Sequence, residues 1–203
     1  MARAYIRLMS SRAPRSEPHT IAEWLAQPEE ARLELIDGEF IEKAAPTFEH
    51  GMAQLGIGVS IREPFNRRSG GGGGPGGWWI ASEVDVVMDA RGYRPDLAGW
   101  RRERLPERPT QRPVEVRPDW LCEILSDSNR NVDLVKKLRR YHQAGVPHYW
   151  ILDPLSRTLT VYRHRPEGYV VALAAEAGEK VHAEPFDAIE IAVGQLLGDD
   201  PEE

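Results

Sequence analysis

The feature that most constrains this sequence is a single carboxylate inside a run of residues that should be buried. Glu123 lies within residues 120–125, an apolar run of strand length. Such a run, followed after a turn by a helix, is typical of a central strand that is covered on both faces. An ionised carboxylate there is costly unless it is paired, hydrogen-bonded or bound to a metal. The sequence therefore predicts a chemical role for Glu123.

Two more charged residues complete a predicted site. Asp96 lies in a second predicted strand, and Lys137 lies on a predicted helix over residues 131–144. Two acids on adjacent strands, with an ammonium nearby, suit a divalent metal and a water that attacks phosphorus. Asp119 is a poorer partner for Glu123, because four positions along one strand separate the two side chains by roughly 13 Å.

On the predicted helix over residues 131–144, two adjacent lysines face different directions. At about 100° per residue, Lys136 faces solvent, whereas Lys137 lies at the margin of a buried face that includes Val135 and Tyr141. The long stem of Lys137 can carry its ammonium across apolar surface towards the sheet. The alternative is that Lys137 only covers the edge of the core, in an i, i+4 pair with Asp133.

The rest of the chain predicts alternating helices and strands. A Thr-x-x-Glu capping box begins the first helix, Asp-Gly forms a hairpin turn, and Gly145 ends the helix that carries Lys137. The predicted elements are a helix over 20–26, a hairpin over 33–41, a helix over 47–65, a half-buried strand over 79–88, strands over 149–152 and 158–162, and weaker strands through residue 193. In the long helix, apolar spacing predicts that the inward side chains are Phe48, Met52, Leu55, Ile57 and Val59.

Composition fits one domain with two peripheral segments. The first sixteen residues carry four arginines and no acid, and we expect a disordered arm over residues 1–18. Residues 19–195 form the domain, and an acidic tail covers residues 196–203. A flexible glycine-rich loop is predicted at residues 69–77. The single cysteine fits a reducing compartment, so we expect a cytoplasmic protein. No apolar stretch reaches the roughly 20 residues that span a bilayer.

Charge and motifs exclude several classes of function. The net charge of -6 counts against broad electrostatic attachment to nucleic acid, although residues 101–112 form a basic stretch. That stretch is either a solvated loop or a loop that contacts a nucleic-acid backbone. The glycine-rich loop is followed by no Gly-Lys-Ser/Thr, the histidines have no zinc-ligand spacing, and the nucleophile elbow of serine hydrolases is absent.

A series of motifs in order carries a family resemblance. The series is Glu34-Leu35-Ile36-Asp37-Gly38-Glu39, His50, Pro95-Asp96, Glu123-Ile124-Leu125-Ser126, Asp133 with Lys137 and Tyr141, and residues 145–154. The order resembles the PD-(D/E)XK nuclease superfamily and, more closely, a large bacterial family of putative restriction endonucleases within it. The likeness covers residues 20–162.

This resemblance implies a restriction-endonuclease-like α/β fold. A central mixed β-sheet is flanked by helices in the order α-β-β-β-α-β, with an added N-terminal hairpin and extra C-terminal strands. It also implies that Mg²⁺ or Mn²⁺ is bound by Asp96, Glu123 and the main-chain carbonyl of Ile124. The superfamily lysine is expected two residues after Glu123, where this chain has Leu125. Either the site is inactive or the lysine has moved, and the family pattern favours Lys137.

The same pattern includes two further polar residues, Glu34 and His50, which we expect either at the site or in ordinary surface and capping roles. The leading hypothesis is a divalent-metal-dependent phosphodiesterase, an endonuclease that hydrolyses DNA, with Asp96, Glu123 and Lys137 as catalytic residues. The alternatives are an inactive nucleic-acid-binding or scaffold protein with the nuclease fold, and an unrelated α/β protein. We expect DNA as the partner and no membrane association, and leave a homodimer open.

Overall fold

The computed structural model describes residues 17–126 and 130–200. Over these ranges the strands are β1 (Leu33–Ile36), β2 (Glu39–Glu42), β3 (Trp78–Ser82), β4 (Val86–Met88), β5 (Arg91–Tyr93), β6 (Leu97–Arg101), β7 (Trp120–Ile124), β8 (His148–Asp153), β9 (Thr158–Arg165), β10 (Gly168–Glu176), β11 (Lys180–Val181) and β12 (Ile191–Ala192). The helices are α1 (Ile21–Leu25), α2 (Phe48–Ile57), α3 (Glu63–Phe65), α4 (Leu138–Gln143) and α5 (Val193–Leu196). Wider π-helical turns at Gly58–Arg62 and Val132–Lys137 precede α3 and α4, and a 3-10 turn lies at Glu29–Ala31.

A six-stranded mixed sheet forms the centre of the fold, in the order β10-β9-β8-β7-β6-β3. β7 and β8 are parallel, and the helical segment that carries Lys137 connects them, because parallel neighbours need a long crossover. The other neighbouring strands of this sheet are antiparallel. A second, four-stranded antiparallel sheet has the order β2-β1-β5-β4.

The central strand β7 is buried on both faces, as its apolar run predicted. Trp120, Cys122 and Ile124 belong to one core cluster, which also includes buried residues of α2. Leu121 belongs to the other cluster, which lies between β7, α4 and the four-stranded sheet. Because side chains alternate along a strand, Glu123 points to this second face. The charged side chain is therefore placed between the two sheets.

The predicted helix boundaries hold where a cap specifies them. The Thr20 hydroxyl oxygen accepts from the Glu23 N–H, and the Glu23 carboxylate accepts from the Thr20 N–H. These two bonds complete the capping box of α1. After α4, Gly145 adopts a φ of 71° and its N–H bonds to the His142 carbonyl. The Val146 N–H bonds to the Tyr141 carbonyl, which gives a Schellman motif. Asp127 and Ser128, which the sequence offers as capping groups for the start of this helix, lie outside the described residues.

The buried face of the long helix differs from the predicted one. Phe48, Leu55 and Val59 are exposed, at 79%, 69% and 66% of their surface, although the spacing placed them inward. Ile57 is buried as predicted, and the other core residues of this segment are Ala53, Ile61 and Phe65. The helix has two apolar faces, and only one of them can pack closely against the core. The face with small residues is the buried one, because α2 runs directly against the backbone of α5.

Gly56 marks this close approach and provides a test of it. A Cβ at Gly56 would lie 2.3 Å from the Gln195 carbonyl oxygen, a backbone atom that cannot rotate away. We expect Gly56→Ala to lower the free energy of unfolding by about 1–3 kcal/mol, the usual cost of overpacking. Gly51→Ala, in the same helix but with open space around its Cβ, should raise it by about 0.5–1 kcal/mol. Urea unfolding of both variants measures the difference, and equal effects would contradict this packing.

The predicted strand over residues 79–88 is interrupted. Glu83 adopts a φ of 53°, a left-handed conformation that a continuous strand does not contain. β3 ends before it and stays in the six-stranded sheet, whereas β4 joins the four-stranded sheet. Asp85, a polar residue of the predicted half-buried strand, is buried and pairs with Arg94 and Arg112.

The segments predicted to be peripheral are described only in part. Residues 1–16 and 201–203 lie outside the described ranges. Leu196 and Leu197 are buried in the first core cluster, so the tail boundary predicted at residue 196 falls within packed structure. Residues 69–77 contain no helix or strand, and the N–H groups of Gly76 and Gly77 bond back to the carbonyls of Pro64 and Arg67. The flexibility of this loop stays a prediction.

Candidate metal-binding active site

The sheet register brings Asp96 and Glu123 together. Leu97 pairs with Cys122 and Ala98 with Leu121 in the antiparallel β6–β7 pair, so one further step places Asp96 opposite Glu123. Residues that are directly opposite in such a pair have Cβ atoms about 4.5–5.5 Å apart. Like charges at that separation are destabilising. Each carboxylate therefore needs its own compensating groups, which come from outside the two strands.

Asp96 is held by a backbone N–H and by a lysine that the sequence analysis did not select. Its Oδ2 accepts from the Ile124 N–H at 2.6 Å, and its Oδ1 lies 2.6 Å from the Lys43 Nζ. Lys43, directly after β2, also donates to the Arg94 carbonyl at 2.8 Å. Burial opposes the ionised form, but the Lys43 ammonium and the His50 ring outweigh it and hold the pKa of Asp96 well below its usual range. Asp96 is therefore a carboxylate.

Two more potential ligands surround Asp96. Ligand atoms of His50, Glu83 and Asp96 all lie within 4.8 Å of one another. The His50 Nε2 is 3.2 Å from Asp96 Oδ1, but it is buried and its alignment is not that of a hydrogen bond. Thr47 caps α2 by accepting from the His50 N–H, which fixes this residue in the first helical turn. Glu83 reaches the group because its left-handed backbone breaks the strand there.

Lys137 is surrounded by carboxylates and has almost no exposed surface, at 2%. Its Nζ lies 2.9 Å from Glu34 Oε2, 3.0 Å from Glu123 Oε1 and 3.1 Å from Asp133 Oδ1. The Tyr141 hydroxyl donates to the same Glu123 oxygen at 2.7 Å. The Lys137 ammonium therefore reaches strand β7 of the central sheet, as the first alternative predicted. The i, i+4 contact with Asp133 also exists, but it lies inside the protein and not at the edge of the core, which contradicts the second alternative.

The π-helical turn explains this difference. Val132–Lys137 has a wider turn than the α-helix assumed for the wheel, so angles drawn at 100° per residue drift. Val135, predicted inward, is 42% exposed, and Lys137, predicted at the margin, is buried. Lys136 faces solvent as expected. The wide turn rotates the lysine into the space between the two sheets.

The site contains more negative than positive charge. Five carboxylates and two lysines meet within it: Glu34, Glu83, Asp96, Glu123 and Asp133, with Lys43 and Lys137. Burial raises the pKa of Glu123 well above its usual value, and Asp133 and Asp96 raise it further against the effect of Lys137. Burial likewise raises the pKa of Asp133. A divalent cation would supply the missing positive charge.

A small cavity lies at the centre of these groups. It is lined by Lys43, His50, Asp96, Glu123, Ile124, Ser126, Asp133 and Lys137, among others, and its volume is about 10 Å³. That space holds roughly one water-sized particle. It is large enough for an ion but not for a phosphodiester, so a substrate has to reach the site from its open side or after movement of the surrounding side chains.

The predicted site residues therefore meet in one place. Asp96, Glu123, Lys137 and His50 line the small cavity, and Glu34 contacts Lys137 directly. The part of Ile124 that contacts Asp96 is its N–H, whereas the prediction concerned its carbonyl.

Two residues at the site were missed. Glu83 belongs to a segment predicted as a half-buried strand, and Lys43 follows the hairpin without any motif to mark it. The positive φ of Glu83 and the docking of β2 bring them in, and neither event has a local sequence signal. The catalytic and ligand roles of all these residues stay predictions.

Comparisons with known proteins identify the family and the fold. A family model named Uma2 and described as "Putative restriction endonuclease" matches residues 19–194. A solved structure, titled as a putative nuclease belonging to DUF820 from Anabaena variabilis ATCC 29413, is similar with a TM-score of 0.68 and 22% identity. The alignment covers 89% of this chain and 98% of that one, and the likeness confirms the predicted fold. No curated protein matches. In the described part of the chain, no helix has the length and apolar character needed to cross a bilayer.

Proposed function

Because the chain belongs to the Uma2 family, whose model is described as "Putative restriction endonuclease", we propose that it is a divalent-metal-dependent endonuclease that hydrolyses DNA. The observation that carries this proposal is the pair of facing acids, Asp96 and Glu123, at a buried site with a surplus of negative charge. A buried surplus of this kind is costly unless a cation offsets it or a proton is taken up.

The donor set fits Mg²⁺ or Mn²⁺. Asp96 and Glu83 offer carboxylate oxygens, which both ions prefer, and His50 adds an imidazole nitrogen that Mn²⁺ also accepts. Glu123 lies outside this group of three but lines the small cavity together with Asp96 and His50. The Lys43 ammonium lies 2.6 Å from Asp96 Oδ1 and 3.1 Å from Glu83 Oε1, so a positive charge already stands between these two acids. Lys43 would have to shift when a metal takes that place.

Each residue of the site has a separate role in the proposed hydrolysis. Bound there, the ion would polarise the phosphate and lower the pKa of a coordinated water. Asp96, already ionised, is the ligand that needs no deprotonation. Glu123 holds the proton or the metal according to its surroundings, with Tyr141 and Lys137 fixing its orientation. Lys137, or Lys43 once displaced, offsets the charge that develops on the phosphate oxygens.

One observation favours a second candidate, a nucleic-acid-binding protein without turnover. Lys43 occupies the space between two of the acids, and Leu125 stands where the superfamily carries its lysine. In this alternative Lys43 is a permanent internal cation, and the acids serve only to bind it. The two candidates differ in whether a divalent ion changes the behaviour of the protein.

Cleavage of supercoiled plasmid and of linear DNA distinguishes them. With Mg²⁺ or Mn²⁺ we expect nicking or linearisation of the plasmid, and with chelator we expect none, because the buried acids then lack their cation. Calorimetry with Mn²⁺ measures binding without substrate, since weak Mg²⁺ sites can need substrate phosphate to fill. Cleavage in chelator would contradict the metal requirement. Intact plasmid with both ions, together with no heat of Mn²⁺ binding, would favour the second candidate.

A further inference from the structure

A larger cavity, of about 480 Å³, opens next to the small one. It lies between the end of α3, strand β3 and residues 108–112, and Glu83 belongs both to its wall and to the group formed with His50 and Asp96. We call it the arginine cavity. Its volume lies in the range of sites that enclose one small molecule. A ligand in it would therefore sit beside the proposed metal ligands.

The charge of the arginine cavity is opposite to that of the chain. Five arginines and three acids line it, a surplus of two positive charges in a protein whose net charge is -6. Arg94 and Arg112 are engaged by Asp85. Arg62 and Arg108 are exposed and have no ion pair with any described residue. Arg62 and Arg108 are thus available to an anionic ligand.

The remaining wall suits an aromatic ring with polar edges. Trp79 and Trp100 both line the cavity, but Trp100 is buried and one face of the Trp79 ring is covered by the Arg102 guanidinium, 3.5 Å from the ring centroid. The other face of Trp79 is therefore the stacking surface that the wall offers. The Asn66 Oδ1 accepts from the Ile80 N–H, which leaves the side-chain amide nitrogen of Asn66 as a donor. Arginines for phosphate, an indole face for stacking and a side-chain amide for a base edge are the components of a nucleotide site.

From these contacts we infer that the arginine cavity binds one unpaired nucleotide of the substrate strand. The inference rests on the proposed function and specifies its substrate class, because a cavity of this size admits one nucleotide but not a stacked base pair. The substrate is then single-stranded DNA, or a duplex from which one nucleotide has been turned out. The phosphate that follows the bound nucleotide would lie near Glu83 and Asp96.

Binding measured in chelator tests this inference without any cleavage. A short labelled single strand should bind at least about tenfold more tightly than the duplex of the same sequence. The double variant Arg62→Ala, Arg108→Ala should lose at least about tenfold in affinity for the single strand. The matched control is Arg139→Ala, Arg165→Ala, which removes the same charge from exposed positions outside the cavity and should change affinity by less than about twofold.

Any one of three results would overturn the inference. The first is a duplex that binds as tightly as the single strand, and the second is a cavity variant that loses no more affinity than its control. The third is competition by inorganic phosphate that equals competition by a nucleoside monophosphate, which would indicate an anion site without base recognition. Because chelator removes the metal, single-strand preference with no cleavage under any condition would contradict the proposed function alone. Cleavage of DNA with unaltered binding by the cavity variant would contradict this inference alone.

Discussion

Replacing Asp96 with asparagine should reduce metal-dependent cleavage by at least roughly 100- to 1,000-fold, the loss usual when one preorganised electrostatic group is removed from an active site. Asparagine keeps an oxygen to accept from the Ile124 N–H but loses the charge that faces Lys43. Stability should fall as well, by at most about 3–5 kcal/mol, since a buried pair is broken. Lys43 keeps Glu83 and the Arg94 carbonyl, which limits the cost.

The matched control for Asp96 is Asp119→Asn. Asp119 is also buried and directly precedes a strand of the central sheet, β7, as Asp96 precedes β6. It pairs with Arg104 but does not line the small cavity. We expect this variant to lose about 1.5–3 kcal/mol of stability and to keep its cleavage rate. Plasmid nicking at saturating Mn²⁺ and urea unfolding give the two quantities. Wild-type cleavage by Asp96→Asn would remove Asp96 from the site.

Replacing Lys137 with methionine should have the largest combined effect. Three buried carboxylates contact its ammonium. Removal of the ammonium leaves these carboxylates buried without a compensating charge, which should lower the free energy of unfolding by about 3–5 kcal/mol. Removing a lysine at the edge of the core would cost far less, so it is the burial of Lys137 that makes a large loss of stability the expected result. Cleavage should be lost too, because both the position and the charge state of Glu123 depend on Lys137.

Lys136→Met is the control for Lys137, with the same change one residue away at an exposed position. Its stability and cleavage should match the wild type. Lowering the pH should restore part of the stability of Lys137→Met, because burial raises the pKa of Glu123 and of Asp133 and a protonated carboxyl no longer needs the cation. If the two lysine variants cleave equally well, Lys137 has no part in the reaction.

The sequence predicted the centre of the site because that centre depends on strand order. Asp96 directly precedes β6 and Glu123 lies inside β7, and the register of this antiparallel pair brings the two positions together. Lys137 follows on the crossover helix that a parallel β7–β8 pair needs. These relations are topological, so a single sequence was enough.

Features that depend on exact backbone geometry could not be predicted in the same way. Lys43 reaches Asp96 only because the four-stranded sheet docks against the six-stranded one, and Glu83 turns inward through one left-handed residue. The apolar spacing of α2 described two faces equally well, and the contact at Gly56 selected the one with small residues. The helical wheel at about 100° per residue misplaced Lys137 at the margin of the buried face, because the helix widens into a π turn there.

The arrangement of the site also bears on how the chain folds. Its charged groups come from β1, the segment after β2, the start of β6, strand β7 and the crossover helix, so its contacts join residues about 40 to 100 positions apart in the sequence. Loops of such length carry an entropic cost that must be met before these contacts form, and non-local contacts slow folding. This group of charged residues should therefore be among the last parts to assemble. Opening of the N-terminal hairpin alone would remove Glu34 and Lys43 from the group, while Asp96 and Glu123 stay in place on the central sheet.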